Sequence, residues 1–161
     1  MTKIVQCPDE YYSKLGEFAV FMAGGISGCE NWQQEMIAKV GDLSDVDSLV
    51  ELVLLNPRRD NFDVNDSSMS DWQIEWEHRQ LTKADATSFW FPRETLCPIT
   101  LYELGKCSYS LKNIFVGTHP DYKRRYDVIK QLSLVRPNVV VVSTLDDLVD
   151  QIKKLLGVWN K

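Results

Sequence analysis

Short, continuous apolar runs recur along this chain, and between them lie segments whose apolar residues repeat at helical spacing. The runs are Phe18 to Met22, Leu52 to Leu55, Ser88 to Phe91, Asn113 to Val116 and Asn138 to Val142, and each stops at a turn-forming residue: Gly24-Gly25, Asn56-Pro57, Pro92, Gly117 and Ser143. A run with no polar alternation has no face to offer water, so these strands belong in a parallel sheet covered on both sides. Candidate covering helices are Trp32 to Val40, Ser70 to Lys83, Pro98 to Tyr109, Asp121 to Leu134 and Leu145 to Leu156. In the last, Leu145, Leu148, Val149, Ile152, Leu155 and Leu156 form one apolar stripe, with Asp146, Asp147, Asp150, Lys153 and Lys154 opposite. The polar stretch Asp60 to Met69, "DNFDVNDSSM", is expected to be a long loop.

Five strands alternating with five helices predict an α/β, flavodoxin-like doubly wound three-layer sandwich around a five-stranded parallel sheet, with order 2-1-3-4-5 by appearance. A length of 161 residues suits one domain, 1–161, able to bury a core without staples. In this topology ligands sit beyond the carboxyl ends of the strands, between strands one and three where the winding reverses. The loops expected there are Ala23-Gly24-Gly25-Ile26-Ser27-Gly28, Asn56-Pro57-Arg58-Arg59-Asp60-Asn61, and Pro92 through Glu103. Net charge is -5, and the basic residues are scattered except for Arg58-Arg59 and Lys123-Arg124-Arg125, which argues against a nucleic-acid polymer and leaves small anions open. Cys7, Cys29, Cys97 and Cys107 lack metal-type spacing, no run approaches the ~20 apolar residues of a membrane span, and no signal-like segment opens the chain. The expectation is a reduced, cytoplasmic protein with no membrane partner.

The ordered segments "VFMAGGISGCENWQ", "LLNPRRDNFD", "QIEWEH", "ADATSFWFP" and "CPITLYELG" together resemble the nucleoside 2-deoxyribosyltransferase-like family, particularly its short bacterial and phage-type branch, from about Val20 to Arg125. The resemblance implies a flavodoxin-like fold and cleavage or transfer of the N-glycosidic bond of a nucleoside or nucleotide through a covalent glycosyl-glutamate intermediate. It implies no cofactor and no metal. By motif, Glu103 in "ELG" stands at the nucleophile's position and Glu77 at that of the acid that handles the proton. It further implies a homo-oligomer, and Trp159 near the C-terminus would be costly to leave exposed. Where the family's transferases carry an aspartate about six residues before the nucleophile, this chain has Cys97, with Glu94 nearby as a substitute. A nonenzymatic nucleotide-binding or sensing module on the same fold is the alternative.

Elementary chemistry fits these assignments. Retaining glycosyl transfer needs one carboxylate to attack the anomeric carbon and a second acid to protonate the departing base. Pro98 suits the first position of a helix, which puts Glu103 in the second turn, where the positive helix end is expected to help keep it ionised. Glu77, among Trp72, Ile74, Trp76 and Leu81, is expected to be desolvated and raised towards a proton donor. Its rival reading is an ion pair with Arg79, Lys83 or Lys106. Gly24 and Gly25 serve either a tight turn or close approach of a sugar or base to the backbone. Asn56, Arg58, Arg59, Pro92 and Glu94 complete the candidate substrate contacts, with a phosphate contact the expected use of Arg58 or Arg59. His119 reads as a structural loop residue in preference to a general base, and Trp72, Trp76 and Trp90 as either core or stacking surfaces.

Overall fold

The computed structural model describes residues 2–41, 50–59 and 67–158. Its strands are β1 (Thr2–Gln6), β2 (Glu17–Gly24), β3 (Glu51–Asn56), β4 (Ala86–Phe91), β5 (Asn113–Thr118) and β6 (Val141–Val142). Its helices are α1 (Trp32–Val40), α2 (Ser67–Lys83), α3 (Pro98–Ser108), α4 (Arg125–Val135) and α5 (Leu145–Val158). All strand pairs are parallel, in the order β1-β3-β2-β4-β5-β6. The expected order of the five apolar strands therefore holds, and the winding reverses between β2 and β4.

Among the described residues the sheet has six strands rather than five. β1, "TKIVQ", carries no continuous apolar run, because it is an edge strand on which only Val5 is buried. It pairs β3 from Thr2↔Leu52 to Gln6↔Asn56. At the opposite edge β6 is shorter than the expected Asn138 to Val142. Val139 N–H closes a turn onto Arg136 O (2.9 Å), and only Val141 and Val142 reach β5. α2 starts at Ser67, which takes the end of the expected loop into the helix; 60–66 and Trp159 lie outside the described residues. α4 starts at Arg125 rather than Asp121, after turns from Tyr122 N–H to His119 O and Arg125 N–H to Tyr122 O.

Strand pleating sorts the core into two layers. Ala19, Phe21, Ala23, Val53, Leu55, Phe89, Phe91 and Val116 face α2, α3 and α4. Phe18, Val20, Met22, Leu52, Leu54, Trp90 and Phe115 face α1 and α5. α5 closes its side with the stripe read from sequence: Leu148 and Ile152 are fully buried and Leu156 nearly so. None of the described helices is long and apolar enough to cross a membrane.

Candidate functional site

On the α2/α3 side of the reversal point, at the carboxyl edge of the sheet, lies a cavity of about 450 Å³. Its floor is the end of β2 and the loop after it (Ala23, Gly24, Gly25, Ile26, Ser27), and its walls come from α2 and from the start of α3. Glu77 from α2 and Glu103 from α3 both line it, and each is half-buried.

The helices explain why these two side chains meet. Pro98 opens α3, and the residue before it, Cys97, turns the chain in a left-handed conformation (φ 49°) without a side-chain cap. Glu103 is then one turn and a half into the helix, facing inward. α2 is held by Trp76, fully buried against Phe21, with its indole N–H donating to Asp9 O (3.0 Å). Glu77, the next residue, is thereby turned towards the cavity.

The two carboxyls differ in surroundings. Burial pushes Glu77 above its ordinary range, opposed by a hydrogen bond from Gln73 Nε2 (2.7 Å) and by the Arg59 charge. Glu103 is pushed up to about 8, first by burial and then by repulsion from Glu77, with only the Lys106 charge opposing. The expectation that the helix end keeps Glu103 ionised is therefore corrected. A helix field fades beyond the first turn, whereas desolvation and a like charge act directly on the carboxyl. The salt-bridge alternative for Glu77 does not form either: Arg79 and Lys83 pair with Glu10, and Lys106 Nζ meets His78 Nδ1.

Gly24 and Gly25 line the cavity, and packing already requires them. A Cβ at Gly24 would lie 2.3 Å from Trp32 Cζ2 and 2.6 Å from Trp90 O. One at Gly25 would lie 3.0 Å from each of the sulfurs of Cys29 and Cys97. The Gly25 carbonyl accepts from Trp32 Nε1 (2.8 Å) and Gln33 Nε2 (3.2 Å), which fixes the loop.

The other candidate residues stand outside the cavity lining. Asn56 is buried, and its Oδ1 accepts from Arg58 N–H (3.0 Å). The Arg58 guanidinium donates to Glu30 O (3.1 Å), Gln33 Oε1 (3.1 Å) and Cys29 O (3.4 Å), so it braces the loop before α1. Arg59 lies over the Trp72 ring at 5.8 Å, and its charge reaches Glu77. Pro92 and Glu94 line a second cavity of about 410 Å³ on the α1/α5 side, together with Trp32, Trp90 and His119. Glu94 pairs with Arg93 (3.5 Å). His119 is a loop residue whose Nδ1 accepts from Asp121 N–H (3.1 Å). Trp76 and Trp90 are core.

Sequence reasoning missed Gln73, Thr95, Thr100, Ser27 and the lining role of Cys97. Gln73 had a usable signal, since it stands one helical turn before Glu77; the others lie in the two loops expected at the ligand edge, where nothing local singled out Ser27, Thr95 or Thr100 as lining residues. The Cys97 thiol is pushed up to about 12, chiefly by burial, and so remains neutral. Among the described residues no group of three or more His, Cys, Asp or Glu is placed to hold a metal ion. Two unlike carboxyls facing one partly apolar cavity can together hold a single proton, as stepwise acid and nucleophile chemistry requires.

The fold has a solved counterpart in a conserved protein from Enterococcus faecalis V583, with a TM-score of 0.58 at 16% sequence identity, covering 87% of this chain and 99% of that one. That likeness concerns the fold alone. No curated protein matches the sequence. The sequence model of the family described as "Nucleoside 2-deoxyribosyltransferase like" matches residues 17–122, from the first residue of β2 to the turn before α4, and so takes in both carboxyls and the whole cavity lining. On that match the chain belongs to the nucleoside 2-deoxyribosyltransferase-like family.

Proposed function

We propose that this protein cleaves or transfers the N-glycosidic bond of a nucleoside or nucleotide, with Glu103 as nucleophile and Glu77 as the group that passes a proton to the departing base. The observation that carries this reading is the convergence of Glu77 and Glu103, in unlike environments, on one cavity at the reversal point of the sheet.

In the first step a Glu103 oxygen bonds to the anomeric carbon as the carbon–nitrogen bond breaks. The bonding pair leaves on the base, which takes the proton held by the two carboxyls. In the second step water or a second base attacks the same carbon, the bond to Glu103 breaks with its electron pair returning to the carboxylate, and the acceptor's proton passes to the two carboxyls, which restores their resting state and gives retention of configuration. Burial and the Glu77 charge favour the protonated form of Glu103, so a proton must leave that group as the reaction proceeds. Positive charge growing on the sugar favours the Glu103 anion, while negative charge growing on the base draws the proton away. Gly25, Ile26 and Ser27 supply a backbone rim for the substrate, and Thr95 and Thr100 supply hydroxyls at the lining. Asn56 and Arg58 act by bracing that rim, Arg59 by its charge on Glu77, and Pro92 and Glu94 by shaping the loop that leads to Cys97.

The test is release of free base from a panel of nucleosides and nucleotides, with and without an acceptor base. Glu103→Gln should lower turnover by orders of magnitude while ligand binding largely survives, because charge on the nucleophile matters most in the transition state. A slowly turning over 2-fluoro sugar should leave a glycosyl mass on the peptide containing Glu103. Native-rate cleavage by Glu103→Gln would remove it as nucleophile. A native protein that binds nucleosides and cleaves none would instead be a binding or sensing module.

A further inference from the structure

We propose that Gln73 is a positioning residue that decides which of the two site carboxyls holds the negative charge at rest: its side-chain amide donates to Glu77, keeping the charge there and leaving the proton on Glu103. The proposal rests on the reading of Glu77 and Glu103 as the reacting pair.

Gln73 is buried (7% exposed), and every polar atom of its amide is engaged. One Nε2–H points to Pro57 O (2.9 Å) and the other to Glu77 Oε1 (2.7 Å), while Oε1 accepts from Cys7 Sγ (3.2 Å). The amide cannot be turned over, because that would set its oxygen against the Pro57 carbonyl and the Glu77 carboxyl, which are both acceptors. Its partners are fixed in turn. Cys7 follows β1, and its N–H donates to Asn56 O at the end of β3 (2.9 Å), so the clamp on Gln73 is built from two neighbouring strand ends. Burial pushes the Cys7 thiol up to about 12, which keeps it a neutral donor.

A donor aimed at a carboxyl favours its ionised form. Among the described residues, the groups that act on Glu77 are Gln73 and Arg59, both of which favour its anion, and the neutral Cys7 thiol and Glu103 lie in its field. Glu103 has the Lys106 charge alone in its favour, and among the described residues no side chain donates a hydrogen bond to it. Two adjacent charges in a half-buried cavity repel, so fixing the first on Glu77 keeps the second group protonated. The nucleophile thus rests as a neutral acid and is unmasked only when positive charge develops on the sugar.

The experiment is a titration of the ligand-free protein, with glutamate labelled at the carboxyl carbon and followed by NMR. In the native protein Glu77 should ionise before Glu103. Gln73→Met keeps the bulk and removes both donors, so the Glu77 titration should move up and that of Glu103 down, each by about one pH unit. Gln73→Asn, whose shorter side chain keeps an amide but cannot span to both partners, should move them in the same directions, and it carries the test if the methionine variant does not fold. Loss of the donor should also narrow the pH profile of kcat/KM from both sides, which a merely structural role would not do. Unchanged titrations in a folded variant, or Glu103 ionising first in the native protein, would overturn the proposal. Because the titration needs no substrate, a protein inert towards nucleosides would sink the catalytic reading and leave this result legible.

Discussion

At Glu103 two electrostatic effects oppose one another, and their ranges decide the outcome. The helix end acts over a single turn, and Glu103 lies beyond it, so burial and Glu77 prevail and the carboxyl is pushed up to about 8. A carboxyl raised in the folded state binds its proton more tightly there than in the unfolded chain. Its contribution to stability is complete below the unfolded value and is lost as pH rises through about 8. Glu103→Gln, neutral at every pH, should therefore gain on the native protein as pH climbs from 4.5 to about 8, by at most ~1.4 kcal/mol per pH unit. Urea denaturation across that window measures the difference, and a constant gap would refute it. The glycines make a second contrast. Gly24→Ala drives a methyl into Trp32 and the Trp90 carbonyl, and should cost about 1–3 kcal/mol in the same assay. Gly105 of the "ELG" motif sits inside α3, and nothing lies within 4 Å of where a Cβ would stand. Gly105→Ala should stabilise by roughly 0.5–1 kcal/mol.

At the scale of elements, legibility followed burial. α5 was read almost to the residue because its stripe is continuous and fully used in packing. Its start is also well marked: Thr144 Oγ1 accepts from Asp147 N–H (3.1 Å), and Asp146 reaches across to Lys39 of α1 (2.8 Å). Thr144→Ala should cost about 1 kcal/mol, seen as a lowered thermal midpoint with the fold retained. β1 was missed for the opposite reason, since an edge strand covered on part of one face needs no apolar run to be stable. β6 was overextended because its valines suggest a strand, while Val140 is 66% exposed and a turn at Arg136 takes up the chain.

At the scale of the whole molecule, the winding reversal brings the carboxyl ends of β2 and β4 together with α2 and α3, and among the described residues the resulting cavity is lined by two carboxyls and by no Lys, Arg or His. The protein carries a net charge of -5 as well. An extra phosphate on the ligand therefore meets the negative charge of the carboxyl pair and of the protein as a whole, offset in part by the Arg59 charge that reaches Glu77. Nucleosides are expected to bind more tightly than their 5'-monophosphates at pH 7, and the gap should narrow with added salt as the charges are screened. Calorimetry at two ionic strengths measures both. Arg58→Ala should weaken the two ligand types equally, because its donors hold the loop before α1. A loss confined to the monophosphates would assign Arg58 to phosphate instead.

The sequence by itself determined the layered alternation of strands and helices, because apolar periodicity and local turn chemistry are written residue by residue; the two carboxyls came from the family resemblance of the ordered motifs, and the strand order from what such alternation usually builds. Only the tertiary structure decided the burial of those carboxyls, the hydrogen bonds of Arg58 to the loop before α1, the packing need for Gly24, and the place of Gln73 between two strand ends. Each of these depends on desolvation or on contacts between residues far apart in the chain. Burial and Coulomb interaction act through space, and local spacing carries no record of which side chains the fold will bring together.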